Sequence, residues 1–276
     1  MKHVRFLTWT ALMAYSMIAM GNFIPTSNSG SGQFEIDLVF PRNETYAPQG
    51  AMAIVFALQN PTLALPLGAT VSWSLWEGNN QSSPGSIVGG GLELSLLNLT
   101  SSDPMFVTRY IDTLNYPSGF WTLTWSVSVN NCIQRSAGNS ADTVSNITMT
   151  DTKTTIFTIS QSGQKPDLVA STSSDLRCSV AAQAFNVTSI GESCGFLGPS
   201  PTTNPCAVTI NPSAASSISA AATAYACQPQ VHPSDPQVSC PPITGKSSND
   251  AAQSRMAAAS TLFTLLTTVT ALIHLG

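Results

Sequence analysis

The hydrophobic pattern is clearest at Gly119 to Asn130, GFWTLTWSVSVN, where Trp121, Leu123, Trp125, Val127 and Val129 alternate with Thr122, Thr124, Ser126 and Ser128. A two-residue period held this long puts apolar side chains on one face of a strand and hydroxyls on the other, and predicts a central strand buried on one side. The two Trp of the apolar face each bury on the order of 150–250 Å² and mark the centre of a core. The same test finds other strands. Phe34, Ile36, Leu38 and Phe40 alternate with Glu35, Asp37 and Val39 until Pro41 stops the ladder. Ala51 to Gln59 carries Ile54, Phe56 and Leu58 on one face and ends at Asn60-Pro61. In Thr70 to Glu77, Val71, Trp73 and Leu75 share a face and Trp76 takes the other. Gly78 to Gly91 is rich in Asn, Gly and Pro and predicts turns. Leu92 to Leu97, Met105 to Ile111 and Thr152 to Ile159 complete about seven strands. One conflict arises: if Leu92, Leu94 and Leu96 face the core, so does Asn98, a glycosylation sequon. Either the strand bends before Asn98 or that sequon is unused.

Short strands separated by turn signals, with little helical periodicity before Lys165, predict a mainly β fold: an immunoglobulin-like β-sandwich over residues 33–165. Residues 166–245 differ in texture. They form a Cys- and Pro-rich segment packed on or appended to the sandwich and stapled by disulfides. Asp167 to Ala170 and Gln183 to Thr188 are candidate further strands. Asn211-Pro212 opens one short helix, Ser213 to Ala226, with Asn as cap and Pro at the first helical position. Its apolar stripe is Ala214, Ile218, Ala221, Ala222 and Tyr225.

The ends carry addresses. Lys2, His3 and Arg5 precede an apolar run from Phe6 to Met20, which predicts a signal peptide over 1–21 and a flexible polar leader over 22–32. At the other end, small residues lead to a polar spacer and an apolar tail, 256–276, without a basic flank. That order is a GPI-anchor signal, with the tail removed on attachment. Asn249 is the favoured attachment residue within the anchor and spacer region 246–255, and Ser247 and Gly245 are its alternatives. An uncleaved terminal helix is the competing reading. The expected location is extracellular, at the outer leaflet of the plasma membrane or in the cell wall, with the membrane reached through the lipid.

Between those two cuts lie seven Lys and Arg against thirteen Asp and Glu, a net charge of about −6 that excludes a nucleic-acid surface. Cys132, Cys178, Cys194, Cys206, Cys227 and Cys240 predict three disulfides in an oxidising compartment, with connectivity left open. No pair has C-x-x-C spacing, which argues against zinc. Sequons at Asn43, Asn80, Asn98, Asn146 and Asn186 fit the secretory route.

FEIDLVFPRNETY at Phe34 to Tyr46, IVFALQNP at Ile54 to Pro61 and the SAASSISAAATAYAC run ending at Cys227 together resemble a family of filamentous-fungal secreted proteins known only as a domain of unknown function. The resemblance implies a fungal origin, a secreted glycoprotein and often a GPI tail. It carries over no catalytic or binding residue.

Reactive chemistry is sparse. Gly191-Glu192-Ser193-Cys194-Gly195 matches a nucleophile elbow, but that motif needs a strand before it, a helix after it, and then an acid and a histidine. Only His232 follows within the chain between the two cuts, ahead of Asp235 and in a Pro-rich loop, and chance explains the match better. Gly245-Lys246-Ser247 lacks the earlier glycine of a phosphate loop. Glu35 and Asp37 form a possible carboxylate pair, and exposed acids on a solvated strand face are the preferred explanation. Trp76, Tyr110 and Phe106 fall on the faces opposite the core and are candidate sugar contacts, unless the Cys-rich segment packs over them. The expectation is a structural or interaction glycoprotein without catalysis or cofactor. Its candidate partners are surface proteins or a wall polysaccharide such as glucan or chitin. A secreted hydrolase ranks last.

Overall fold

Each alternating segment becomes a strand. In the computed structural model, which describes residues 30–82, 88–99, 103–135, 143–172, 181–191, 194–228 and 238–240, ten strands and one α-helix are present. They are β1 (Gly32–Phe40), β2 (Thr45–Tyr46), β3 (Met52–Gln59), β4 (Thr70–Glu77), β5 (Val88–Glu93) and β6 (Met105–Ile111), followed by β7 (Gly119–Arg135), β8 (Thr143–Ile159), β9 (Ala182–Ile190), β10 (Gly195–Leu197) and the helix α1 (Pro212–Ala226). The fold is mainly β, and all ten strands belong to one sheet. Its main path runs β2-β8-β7-β10-β9-β1-β3-β6, with β4 sharing with β10 the side of β7 opposite β8, and β5 beyond β4.

The sheet turns back on itself, so its apolar faces meet. Phe56 of β3 packs its ring 5.4 Å from that of Trp125 on β7, although these strands are not neighbours in the sheet. Trp121, Leu123, Trp125, Val127 and Val129 are buried, as the alternation predicts, and face Phe34, Ile36, Leu38, Met52, Ile54 and Phe56. Two strands are buried on both faces: β1 from Phe34 onward and β3 from Met52 to Leu58. Their second face is covered by the chain after Leu197 and by α1.

That cover explains the helix. Asn211 caps it by accepting the Ala214 N–H at 2.9 Å, Pro212 opens it, and Ile218 and Ala226 are buried. Cys227 then closes a disulfide with Cys240. The segment after residue 165 is also woven into the sheet itself, since β9 lies between β10 and β1. Asp167 to Ala170 is not a strand: a 3-10 turn follows at Ala170–Thr172. The conflict at Asn98 is resolved by a bend, because β5 ends at Glu93, a 3-10 turn follows at Leu94–Leu96, and Asn98 is exposed.

Candidate functional site

The outer faces of β4, β7 and β8 carry the most regular surface chemistry in the molecule. Strand register aligns Thr70, Ser128 and Thr150 in one row, Ser72, Ser126 and Thr152 in the next, and Ser74, Thr124 and Thr154 in a third. Strands lie about 4.8 Å apart and same-face residues about 6.7 Å apart, so these nine hydroxyls form a flat grid. The hydroxyls hold one another: Ser128 with Thr150 at 2.8 Å, Ser72 with Ser126 at 2.7 Å, and Thr124 with Thr154 at 3.2 Å. Each hydroxyl has one donor and two acceptor sites, so a shared bond leaves capacity directed at solvent. The fourth row is apolar at both ends: Trp76, Thr122 and Ile156. Thr122 is buried between them and donates to the Gly78 carbonyl at 2.6 Å, while Ile156 and the neighbouring Phe120 are exposed. A hydroxyl grid with an apolar step at one end suits a neutral, polyhydroxylated ligand. It contains no base or acid that could activate a nucleophile.

The three aromatic candidates are not brought together. Trp76 borders the grid, but Phe106 and Tyr110 lie on β6 opposite Ala57 and Ala53 of β3. The inner faces of β4 and β6 both turn to the core, so their outer faces point apart. Tyr110 is covered by α1: its hydroxyl donates to the Ile218 carbonyl at 3.1 Å and its ring lies 5.4 Å from that of Tyr225. Tyr225 in the predicted apolar stripe was the available signal. Phe120 was missed because its position in the alternation makes it a hydroxyl-face residue, where an aromatic carries no core signal.

Asn43, Asn80, Asn98 and Asn146 are exposed. Asn186 is half-buried in β9, where Gly198 lies against its amide: a Cβ on Gly198 would come within 2.8 Å of Nδ2. Cys132 pairs with Cys194 and Cys227 with Cys240, and Cys206 is also disulfide-bonded. Cys178, Ser193, His232, Asp235, residues 1–29, and the anchor candidates Gly245, Ser247 and Asn249 with the tail lie outside the described residues. The elbow motif does not occupy a strand-to-helix turn. Ile190 and Gly195 pair across β9 and β10, so the motif spans a hairpin connection in which the Gly191 N–H donates to the Cys194 carbonyl at 2.8 Å.

The expectation for Glu35 and Asp37 is overturned. They are 1% and 2% exposed, because the chain at Thr202 to Asn204 lies over this part of β1. Asn204 donates its N–H to Glu35 at 2.7 Å, Gln33 donates to the other Glu35 oxygen at 2.9 Å and to the Thr202 carbonyl at 3.0 Å, and Gln59 donates to Asp37 at 2.9 Å and to the Asn204 carbonyl at 3.2 Å. Burial pushes the Asp37 carboxyl up to about 7; the Gln59 hydrogen bond opposes this, and the adjoining Glu35 adds to it. Asp37 Oδ1 has no partner that donates to it, which fits a protonated carboxyl shared with Glu35. The hollow beside Asp37, lined by Arg42, Ser171, Pro205 and Val208 among others, measures about 10 Å³, room for one water at most. The pair acts as a clamp between sheet and cover.

The chain matches no curated protein and no solved structure. Residues 29–240, and with them every strand and the helix, match the model of the domain of unknown function DUF7136, and the chain belongs to that family.

Proposed function

We propose that this chain is a fungal cell-surface glycoprotein, secreted and GPI-anchored, whose immunoglobulin-like β-sandwich displays the β4–β7–β8 face for a structural or interaction role at the cell wall. The observation that carries the reading is the hydroxyl grid bordered by Trp76, Phe120 and Ile156, on the side of the molecule away from α1. Disulfides at Cys132–Cys194 and Cys227–Cys240 support an oxidising compartment, and the terminal signals support the anchor.

A second reading names the contact: glucan or chitin. Grid hydroxyls can both donate to and accept from ring hydroxyls, and the indole and phenyl rings offer apolar surface to the C–H face of a sugar. A hydrolase is the least supported reading, because the paired acids are sealed and the elbow motif lies in a hairpin. The test is retention of residues 32–246 on insoluble β-glucan, chitin and mannan, with Trp76→Ala alongside. Saturable binding weakened at least about tenfold by the substitution is expected of the polysaccharide reading, in line with the loss of one stacked aromatic. Equal retention of both proteins removes the grid's apolar border from the contact.

A further inference from the structure

Among the described residues, the outer edge of the sheet at β8 is unpaired short of its contact with β2. Thr158 donates its N–H outward to the Glu44 carbonyl at 2.9 Å, next to the pairing of β8 with β2 at residues 158–159. By the two-residue repeat, Ile156, Thr154, Thr152, Thr150 and Thr148 turn their N–H and C=O groups the same way. Among the described residues no backbone group bonds to this edge between Thr148 and Ile156. Among the same residues, the hydrogen bond made there is to the Asp151 carboxylate, which accepts the Thr152 N–H at 2.7 Å. A hollow of about 440 Å³ runs beside Thr154 to Ile156, lined by Arg42, Asn43, Glu44 and Ala181.

A charge in an open edge normally discourages pairing. Here two opposite charges flank Thr152: Asp151 and Lys153, paired with each other at 3.2 Å and both partly exposed. We infer that β8 pairs antiparallel with β8 of a second copy about a two-fold axis at Thr152, each Asp151 opposite the partner copy's Lys153. In that register Thr152 turns its N–H from the Asp151 carboxylate to its own counterpart in a hydrogen-bonded pair, Thr150 faces Thr154, and Thr148 faces Ile156, where the ladder ends because β2 takes the edge from Thr158. The charged residues fall at the closer, non-hydrogen-bonded positions, where opposite charges attract. A slip of the axis by one residue puts Asp151 opposite Asp151 or Lys153 opposite Lys153, so the two charges select one register. The interface is isologous and closes at two copies. It also joins the two hydroxyl grids edge to edge, although the pairing does not depend on what the grid binds.

The experiment is the molar mass of the secreted full chain by sedimentation across a concentration series, in the native sequence and in Asn43→Gln, since a glycan at Asn43 would stand in the hollow. A dimer is expected. Asp151→Lys and Lys153→Asp should each weaken it about tenfold or more, because each sets like charges opposite in two symmetric places. Mixing the two variants should restore a heterodimer, as the two lysines of the Asp151→Lys copy then meet the two aspartates of the Lys153→Asp copy. Thr152→Pro, which removes the central outward N–H without touching a bond to β7, should also weaken the dimer. A monomer in both backgrounds overturns the inference. So does a dimer that ignores Thr152→Pro, or a mixture of the charge variants that stays monomeric.

Discussion

Glu35 and Asp37 show how one residue pair changes meaning with its cover. Along β1 the apolar and polar positions alternate just as they do along β7, and nothing local separates a solvated acid from a buried one. The cover comes from Thr202 to Asn204, about 170 residues later in the chain, which holds the acids through main-chain groups that any residue type supplies. Gln33 and Gln59, which bridge sheet and cover, were equally silent. The consequence is a pH dependence with a definite sign. Asp37 holds its proton up to about 7 in the folded protein but only to about 3.8 when unfolded. Between those values the folded state binds the extra proton, so this group's contribution is fully present below about 3.8 and is lost as pH rises through about 7. Asp37→Asn keeps the shape and offers Glu35 a permanent N–H donor. Melting temperature against pH should therefore fall from pH 4 to 8 more steeply in the native protein than in Asp37→Asn, with the variant the more stable at pH 8. Parallel curves would remove the shared proton from the account.

At the scale of elements, the legible strands were those with a two-residue period and a β-branched or aromatic face: β1, β3, β4, β6 and the first part of β7 appear where the pattern places them. The helix was legible from Asn211-Pro212 and differs by one residue at its start. β8 was seen only from Thr152 onward, about half its length, because Thr143 to Asp151 has no buried apolar face and is ordered by backbone pairing with β7 along all seventeen residues. β5 was displaced for a different reason. Gly89, Gly90 and Gly91 look like a turn, yet they pair with Ser74, Trp73 and Ser72. A Cβ on Gly90 would lie 2.9 Å from three atoms of the Trp73 indole, so the glycine makes room for a ring packed flat against the backbone. Gly90→Ala should therefore lower stability by about 1–3 kcal/mol, the usual cost of overpacking, despite alanine's better strand propensity. Denaturant unfolding measures it, and an unchanged midpoint would mean that the indole can shift aside at no cost.

For the whole molecule the decisive feature is a seam. The half that carries the hydroxyl grid, β5-β4-β7-β8-β2, and the half that carries the clamp, β10-β9-β1-β3-β6, meet in the sheet, among the described residues, only where β10 pairs with β7, at Gly195 and Asn131. Asn131 adds a side-chain bond, its Oδ1 accepting the Leu197 N–H at 3.1 Å, and the Cys132–Cys194 disulfide crosses at the same point. Elsewhere the described halves meet through side chains, chiefly Phe56 on Trp125 and its neighbours, with a hydrogen bond between Asp151 on β8 and Gln183 on β9. A disulfide closing 62 residues of chain stabilises by about 4 kcal/mol through the unfolded state alone, by the chain-entropy estimate. Replacing both cysteines with alanine should cost about that much, and the loss should be local as well as global. Amide exchange should quicken first in β10 and the facing end of β7, then in β9, while β4 and the grid half of β7 keep their protection. Exchange that rises evenly over all ten strands would instead mean that the packed core alone holds the halves together, with the disulfide acting only on the unfolded chain.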